Sequence, residues 1–185
     1  GGTTDLAVIS MGGIVVSESL RIAGTHFDRD IIGWVKDHHN LLLGYRTAEQ
    51  IKRDVGAATL APGEEPASIE VRGRDLIDGM PKTARVTTTD VVEALASSLD
   101  KIAGGLRKVL ELAPPELVSD VIDRGIVLTG GGAQLRNLDL FLSRVTDIPV
   151  GLADDPEDCV VVGTSRALDM ADVLQDARRR GGVFH

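Results

Sequence analysis

Apolar positions along the 185-residue chain change period several times, and each change predicts a new element. Residues 4–10 (TDLAVIS) and 14–22 (IVVSESLRI) are β-rich runs separated by Met11, Gly12 and Gly13, the punctuation of an antiparallel hairpin. In GTHFDRDIIGWVKDHHN the spacing turns helical: Phe27, Ile31, Trp34 and Val35 share one face, and Thr25 stands where a cap is needed. A second helix follows in TAEQIKRDVG, where Thr47 and Gln50 have capping-box spacing and Gly56 ends the run. PGEEP (62–66) is a surface loop by composition, and ASIEVRGRD and KTARVTT are two short strands joined through LIDGMP.

The longest periodic segment is TDVVEALASSLDKIAGGLRKVLELA, in which Val92, Leu95, Leu99, Ile102, Leu106 and Val109 recur every three or four residues. Gly104 and Gly105 inside it each cost about 1 kcal/mol against alanine, which points to close packing or a bend. PPELVSDVIDRG (114–125) is a short helix opened by its prolines. The last third alternates: strand 126–129, a glycine turn, helix LRNLDLFLSRVT, strand 149–153 and helix EDCVVVGTSRALDMADVL. Such alternation implies parallel strands with helices packed on the sheet, and the opening hairpin is expected to join that sheet. The chain therefore reads as α/β: a core lobe from residues 1–26 and 88–185, with 27–87 inserted as a smaller lobe.

Composition narrows the function classes. Twenty Lys and Arg against 28 Asp and Glu give a formal net charge of −8, which excludes a dominant electrostatic attraction to nucleic acid phosphates. A single cysteine, Cys159, excludes an intrachain disulfide and suits a reducing compartment. No apolar run approaches the length of about 18 residues that spans a bilayer, and no signal-peptide pattern opens the chain, so a cytosolic protein is expected.

Candidate chemistry concentrates in three places. TGGGAQLRNLD puts Gly130, Gly131 and Gly132 between a strand end and a helix start, where backbone can approach a ligand and N–H groups favour negative charge; a tight turn is the alternative. GGTT at the start of the chain has the same property with two hydroxyls added, and the same alternative. Neither a P-loop nor a strand-borne G-x-G-x-x-G occurs. Glu49 and Lys52 share a helix face, either as a solvated charge pair or as a carboxylate for sugar hydroxyls beside an ammonium. His38 and His39 have no ligand cluster around them, so no metal site is expected. Cys159 lies among valines and reads as packing, and the carboxylates around Pro156 read as complementing a helix dipole. ARRRGG (177–182) is a basic patch on an acidic chain, a solvated tail or a partner contact.

Taken in order, GGTTDLAVISMGGIVVSESLRIAGTHFDRDII, RTAEQIK, VRGRDLIDGMPKT, DRGIVLTGGGAQLRNLDLFLS and DPEDCVVVGTSRALD resemble the second half of a bacterial actin of the MreB and Mbl family, the rod shape-determining proteins, over residues 1 to about 170. The resemblance implies an actin/Hsp70-like (RNase H-like) α/β half, with the 27–87 block as its smaller α+β subdomain. It implies that Gly1, Gly2 and Thr3 form the second phosphate hairpin. Glu49, Gln50, Ile51 and Lys52 then lie beside ribose and purine, and Gly130, Gly131, Gly132, Ala133 and Gln134 form the adenosine turn of an ATP/ADP site with magnesium. The family's first phosphate hairpin, the acid before the second hairpin and the glutamate that positions water would all lie upstream of Gly1. This polypeptide alone is therefore expected to bind nucleotide weakly and to lack ATPase activity. The expected partners are full-length MreB-type actin or a second copy, and cell-wall synthesis or membrane morphogenesis proteins. The expected site is the cytoplasm, membrane-associated through those partners and without direct insertion. The alternative is a fragment of a complete, polymerising MreB-type ATPase.

Overall fold

A computed structural model describes residues 1–169; the C-terminal end of the last predicted helix and the basic patch at 177–182 lie outside them. Strands β1 (Thr4–Ser10) and β2 (Gly13–Leu20) form the expected antiparallel hairpin. Met11 and Gly12, both at positive φ, make the tight turn that suits strand twist. Three elements pack next: α1 (Gly24–His39), the two-residue β3 (Leu41–Leu42) and α2 (Tyr45–Val55). Strands β4 (Ser68–Asp75) and β5 (Pro81–Thr87) complete a three-stranded antiparallel sheet in the order β3-β4-β5. The brief β3, which periodicity cannot detect, pairs Leu41 with Asp75.

Helix α3 (Thr88–Leu112) is the spine of the molecule. A capping box starts it: the Asp90 amide donates to Thr87 Oγ1 at 3.3 Å, and the Thr87 amide donates to Asp90 Oδ2 at 2.7 Å. Its buried stripe begins at Val91 rather than the expected Val92, because the helix starts at Thr88 and Val91 is the residue in phase with Leu95, Leu99, Ile102 and Leu106. Close packing explains one glycine of the pair. A Cβ on Gly105 would stand 2.8 Å from Leu20 Cδ1 and 3.1 Å from Leu6 Cδ1, so the hairpin lies directly on the helix there, whereas Gly104 faces open space.

Beyond α3 come α4 (Pro115–Arg124), β6 (Ile126–Leu128), a 3-10 turn (Gly131–Gln134), α5 (Leu138–Thr146), β7 (Val150–Leu152) and α6 (Cys159–Asp169). Strands β6 and β7 are parallel, as the alternation predicts. One continuous apolar cluster runs from Phe27, Ile31 and Val35 of α1 through Ile51, Val71 and Val86 to α3 and on to Leu138 and Leu142 of α5.

Several expectations are corrected. The hairpin does not join the β6–β7 ladder: the sheets are separate, and a cavity of about 1470 Å³ lies between β1 and β6. Thr25 does not cap α1, whose N-cap is Ala23; its hydroxyl instead donates to the carbonyl of Gly1 at 3.2 Å. Thr47 and Gln50 form no capping box, since α2 begins at Tyr45 and both already lie inside it. Cys159 and the valines after it are not packed in a core: Val160, Val161 and Val162 are exposed, because this end of the fold borders the open cavity.

Candidate functional site

The cavity between the two ladders is where the chemistry-bearing segments meet. At one end the chain start is pinned to α1: both the Thr25 amide and its hydroxyl donate to the carbonyl of Gly1, each at 3.2 Å. Gly1 and Thr3 line the cavity there, with Glu49 and Lys52 from α2 beside them. Gly2 faces a smaller neighbouring depression together with Arg21, His26 and Arg29. The amphipathic α2 brings its polar edge to the cavity because Ala48, Ile51 and Val55 are buried on the opposite side.

Lys52 is not the partner of Glu49. Its Nζ lies 2.7 Å from Asp28 Oδ1 and donates to the carbonyl of Gly24 at 3.1 Å, while Glu49 pairs with Arg53 one turn on at 2.9 Å. Asp28 decides this: it sits on the apolar side of α1 among Phe27 and Ile31, and a carboxylate nearly out of water requires a cation. A charged residue between two positions of the apolar stripe is a signal present in the sequence. Asp28 and Gly24 both border the cavity, and neither was among the residues expected from sequence.

Opposite α2, β6 ends in the glycine turn. Gly130 has φ 82° and ψ 167°, a conformation essentially restricted to glycine, and its amide donates to the carbonyl of Pro156 at 2.6 Å. Gly130, Gly131, Gly132, Ala133 and Gln134 all line the cavity. The first N–H groups of the 3-10 turn point out of the helical bonding pattern, as at any helix start. Glu157, from the acidic loop before α6, comes within 3.5 Å of the position that a Gly131 Cβ would take, so that loop is a wall of the site as well as a helix start.

Two carried-over residues lie elsewhere. Gln50 is exposed and outside the cavity lining, and Ile51 is completely buried in the main apolar cluster. Helical geometry makes this unavoidable: with Glu49 and Lys52 at the cavity, Ile51 must point to the core.

The exit of the glycine turn is clasped to the PGEEP loop. Glu64 accepts from the Ala61 amide at 2.9 Å and from Asn137 Nδ2 at 2.7 Å, and it faces Arg136 at 3.2 Å. The Ala61 N–H, the Asn137 amide and the Arg136 charge together hold its carboxyl below the usual glutamate range. Arg136 also donates to Thr88 Oγ1, and its carbonyl accepts from the Ala58 amide at 2.8 Å. A loop read as merely exposed thus anchors the turn. Elsewhere, His38 stacks on Trp34 with ring centroids 4.1 Å apart. Among the described residues no group of three or more His, Cys, Asp or Glu side chains is placed to hold a metal ion, and no helix is long and apolar enough to cross a membrane.

Comparison with known proteins agrees with this architecture. The chain is 47% identical over 174 residues to the cell shape-determining protein Mbl of Bacillus subtilis, an alignment covering 94% of this chain and 52% of that protein. It is 48% identical over 173 residues to the cell shape-determining protein MreB of Escherichia coli K12, covering 94% and 49%. The crystal structure of MreB5 of Spiroplasma citri bound to ADP superposes with a TM-score of 0.87 at 35% identity, over 98% of this chain and 54% of that one. The chain thus spans about half the length of these relatives and has the actin-type α/β fold. The model of the MreB/Mbl protein family matches residues 1–176, nearly the whole length, and with that match the chain belongs to the MreB/Mbl family.

Proposed function

We propose that this chain forms one wall of an adenine-nucleotide cleft and acts in cell shape and the guidance of cell-wall synthesis by associating with itself or with full-length bacterial actins. The observation that supports this reading is the convergence of Gly1 and Thr3, Glu49 and Lys52, and Gly130 to Gln134 on a single cavity. A backbone without side chains at Gly1 and Gly130 to Gly132 lets phosphate and adenosine edges approach closely, and N–H groups at a helix start favour anionic oxygens. The residues therefore suit part of an ATP or ADP contact, and MreB5 was crystallised with ADP and with AMPPNP. They do not suit magnesium: no carboxylate cluster stands at the glycines, and the Lys52 ammonium is already held by Asp28. With no metal, water-positioning group or second phosphate clamp of its own, the chain lacks the means for phosphoryl transfer.

In this reading residues 27–87 are an inserted small subdomain, and it and the core each offer a surface to a neighbouring subunit. Cell-wall synthesis or membrane morphogenesis proteins are the further partners, and they hold the chain at the membrane from the cytoplasm. Calorimetry is expected to give millimolar ATP affinity; tight, magnesium-dependent, micromolar binding would overturn the partial site. Cosedimentation with B. subtilis Mbl is expected, and full recovery in the supernatant across salt and nucleotide conditions would overturn the association.

The span of about half a relative favours a second reading, in which these residues work as part of a complete MreB-type ATPase. It predicts that adding the other half of Mbl restores ATP turnover, and no turnover from the mixture would refute it.

A further inference from the structure

Two unpaired strand edges face each other across the cavity. Every residue of β1 and of β6 lines it, and no residue of β2 or β7 does, so the order across this side of the molecule is β2, β1, gap, β6, β7. On β6 the edge is defined atom by atom. The Ile126 amide donates to the carbonyl of Pro149 and the Leu128 carbonyl accepts from the Ala153 amide, so these two residues face β7. Alternate residues of a strand address opposite edges, so the N–H and C=O of Val127 point into the gap. Beneath the gap lie Ile102, Leu106, Val109 and Leu110 of α3, an apolar floor under two rows of hydrogen-bonding groups.

The edges also have opposite polarity. Strand β1 starts at α1, where Gly1 meets Thr25, and ends where Val8 packs against Val109, Leu117 and Val118. Strand β6 starts at the end of α4 and leads to Arg136, whose carbonyl meets Ala58 just after α2. One strand placed between them would be antiparallel to β1 and parallel to β6. It would extend the parallel β6–β7 ladder and finish beside Gly1 and Gly2, whose position suits a tight reversal.

We infer that the gap is a docking slot for one extended apolar strand, supplied in trans by a longer MreB-type relative, which joins the two ladders into a five-stranded sheet. The occupant is a strand because only backbone groups can satisfy both edges, and it is apolar because α3 beneath it is. It comes from the half of a relative that this chain does not span, since β1, β2, β6 and β7 are themselves already placed around the slot. The inference gives the association proposed above a physical site, and it rests on the open edges rather than on nucleotide binding.

The test uses the 185-residue chain and a synthetic ten-residue peptide. The peptide carries the B. subtilis Mbl residues that immediately precede the position aligned with Gly1, and a control peptide has the same sequence N-methylated at alternate residues. The slot predicts one-to-one binding and amide exchange slowed at least tenfold at Val127 and at alternate residues of β1, with β2 and β7 unchanged. It also predicts at least tenfold weaker binding of the methylated peptide. Val127→Pro removes one ladder N–H at a free edge, which tolerates proline, and is expected to weaken binding at least tenfold with an unchanged circular dichroism spectrum. The methylated peptide decides the matter without altering the protein should that variant unfold. Absence of saturable binding, equal affinity for the methylated peptide, or protection outside β1 and β6 would overturn the slot. Dimerisation of the chain alone with the same amides protected would replace the relative by a second copy and overturn the occupant. Mbl that cosediments with the chain while the peptide does not bind would overturn the slot and leave the association standing.

Discussion

Replacing Lys52 by methionine separates holding the fold from contacting a ligand. Methionine keeps most of the aliphatic stem, so the perturbation is electrostatic: it removes the 2.7 Å contact with Asp28 and the 3.1 Å bond to the Gly24 carbonyl. What remains is a carboxylate whose side chain is only 12% exposed, on the apolar side of α1. Breaking a fully buried pair on one side costs about 3–5 kcal/mol, and hydrogen bonds to charged groups contribute about 1.5–3 kcal/mol each. Because the Lys52 side chain is 18% exposed, water reaches this pair partly, and a loss of about 2–4 kcal/mol is expected. Removing the stranded charge should recover part of it, so Asp28→Asn with Lys52→Met is expected to be more stable than Lys52→Met alone, with a coupling of about 1–3 kcal/mol. Urea unfolding followed by circular dichroism measures all four corners of the cycle, provided the slope m stays constant. A loss below about 0.5 kcal/mol, or additive single substitutions, would refute the claim that Asp28 is what holds Lys52 at the cavity.

Helix α3 offers a contrast at adjacent positions. Gly104→Ala, in open space, is expected to stabilise by about 0.5–1 kcal/mol, whereas Gly105→Val should destabilise by about 1–3 kcal/mol by pushing on Leu20 and Leu6; thermal melts that rank them in reverse would refute the packing. Thr87→Ala breaks the capping box and should cost about 1 kcal/mol by urea unfolding, and a neutral result would show that the cap does not matter. Glu64 has its carboxyl lowered in the folded state, so its stabilisation is present above the unfolded pKa, about 4.3, and is lost as pH falls through the lower folded value. Glu64→Gln should therefore flatten the acid limb of stability against pH between about 5 and 2, and an unchanged limb would refute the clasp.

Long periodic elements were legible in the sequence, and contacts across the chain were not. Hairpin β1–β2, helix α3 and the parallel β6–β7 pair follow from period and punctuation that each segment carries by itself. Thr25 and Thr47 show the limit: each has the residue type of a cap, but the helix starts were set by packing, which leaves Thr25 to bond Gly1 and Thr47 inside α2. The same holds at the site. Glycine at 130–132 and at 1–2 declared the close-approach positions, whereas the partners of Lys52 and Glu64 lie 24 and 73 residues away and are invisible to local spacing. Nor could periodicity show that β1 and β6 stand apart, because separated and joined strands have the same pattern.

The continuous apolar cluster from α1 through β4 and β5 to α3 and α5 has a mechanical consequence. Close-packed interiors deform little, so the inserted block and the spine helix beneath it have no seam at which to flex and must turn as one lever. Its fulcrum is the Glu64–Arg136–Asn137 clasp beside the glycine turn, and its far tip is the exposed β4–β5 reversal at Ile77 and Met80. A tilt too small to notice at the glycines would be delivered, enlarged, to whatever touches that tip.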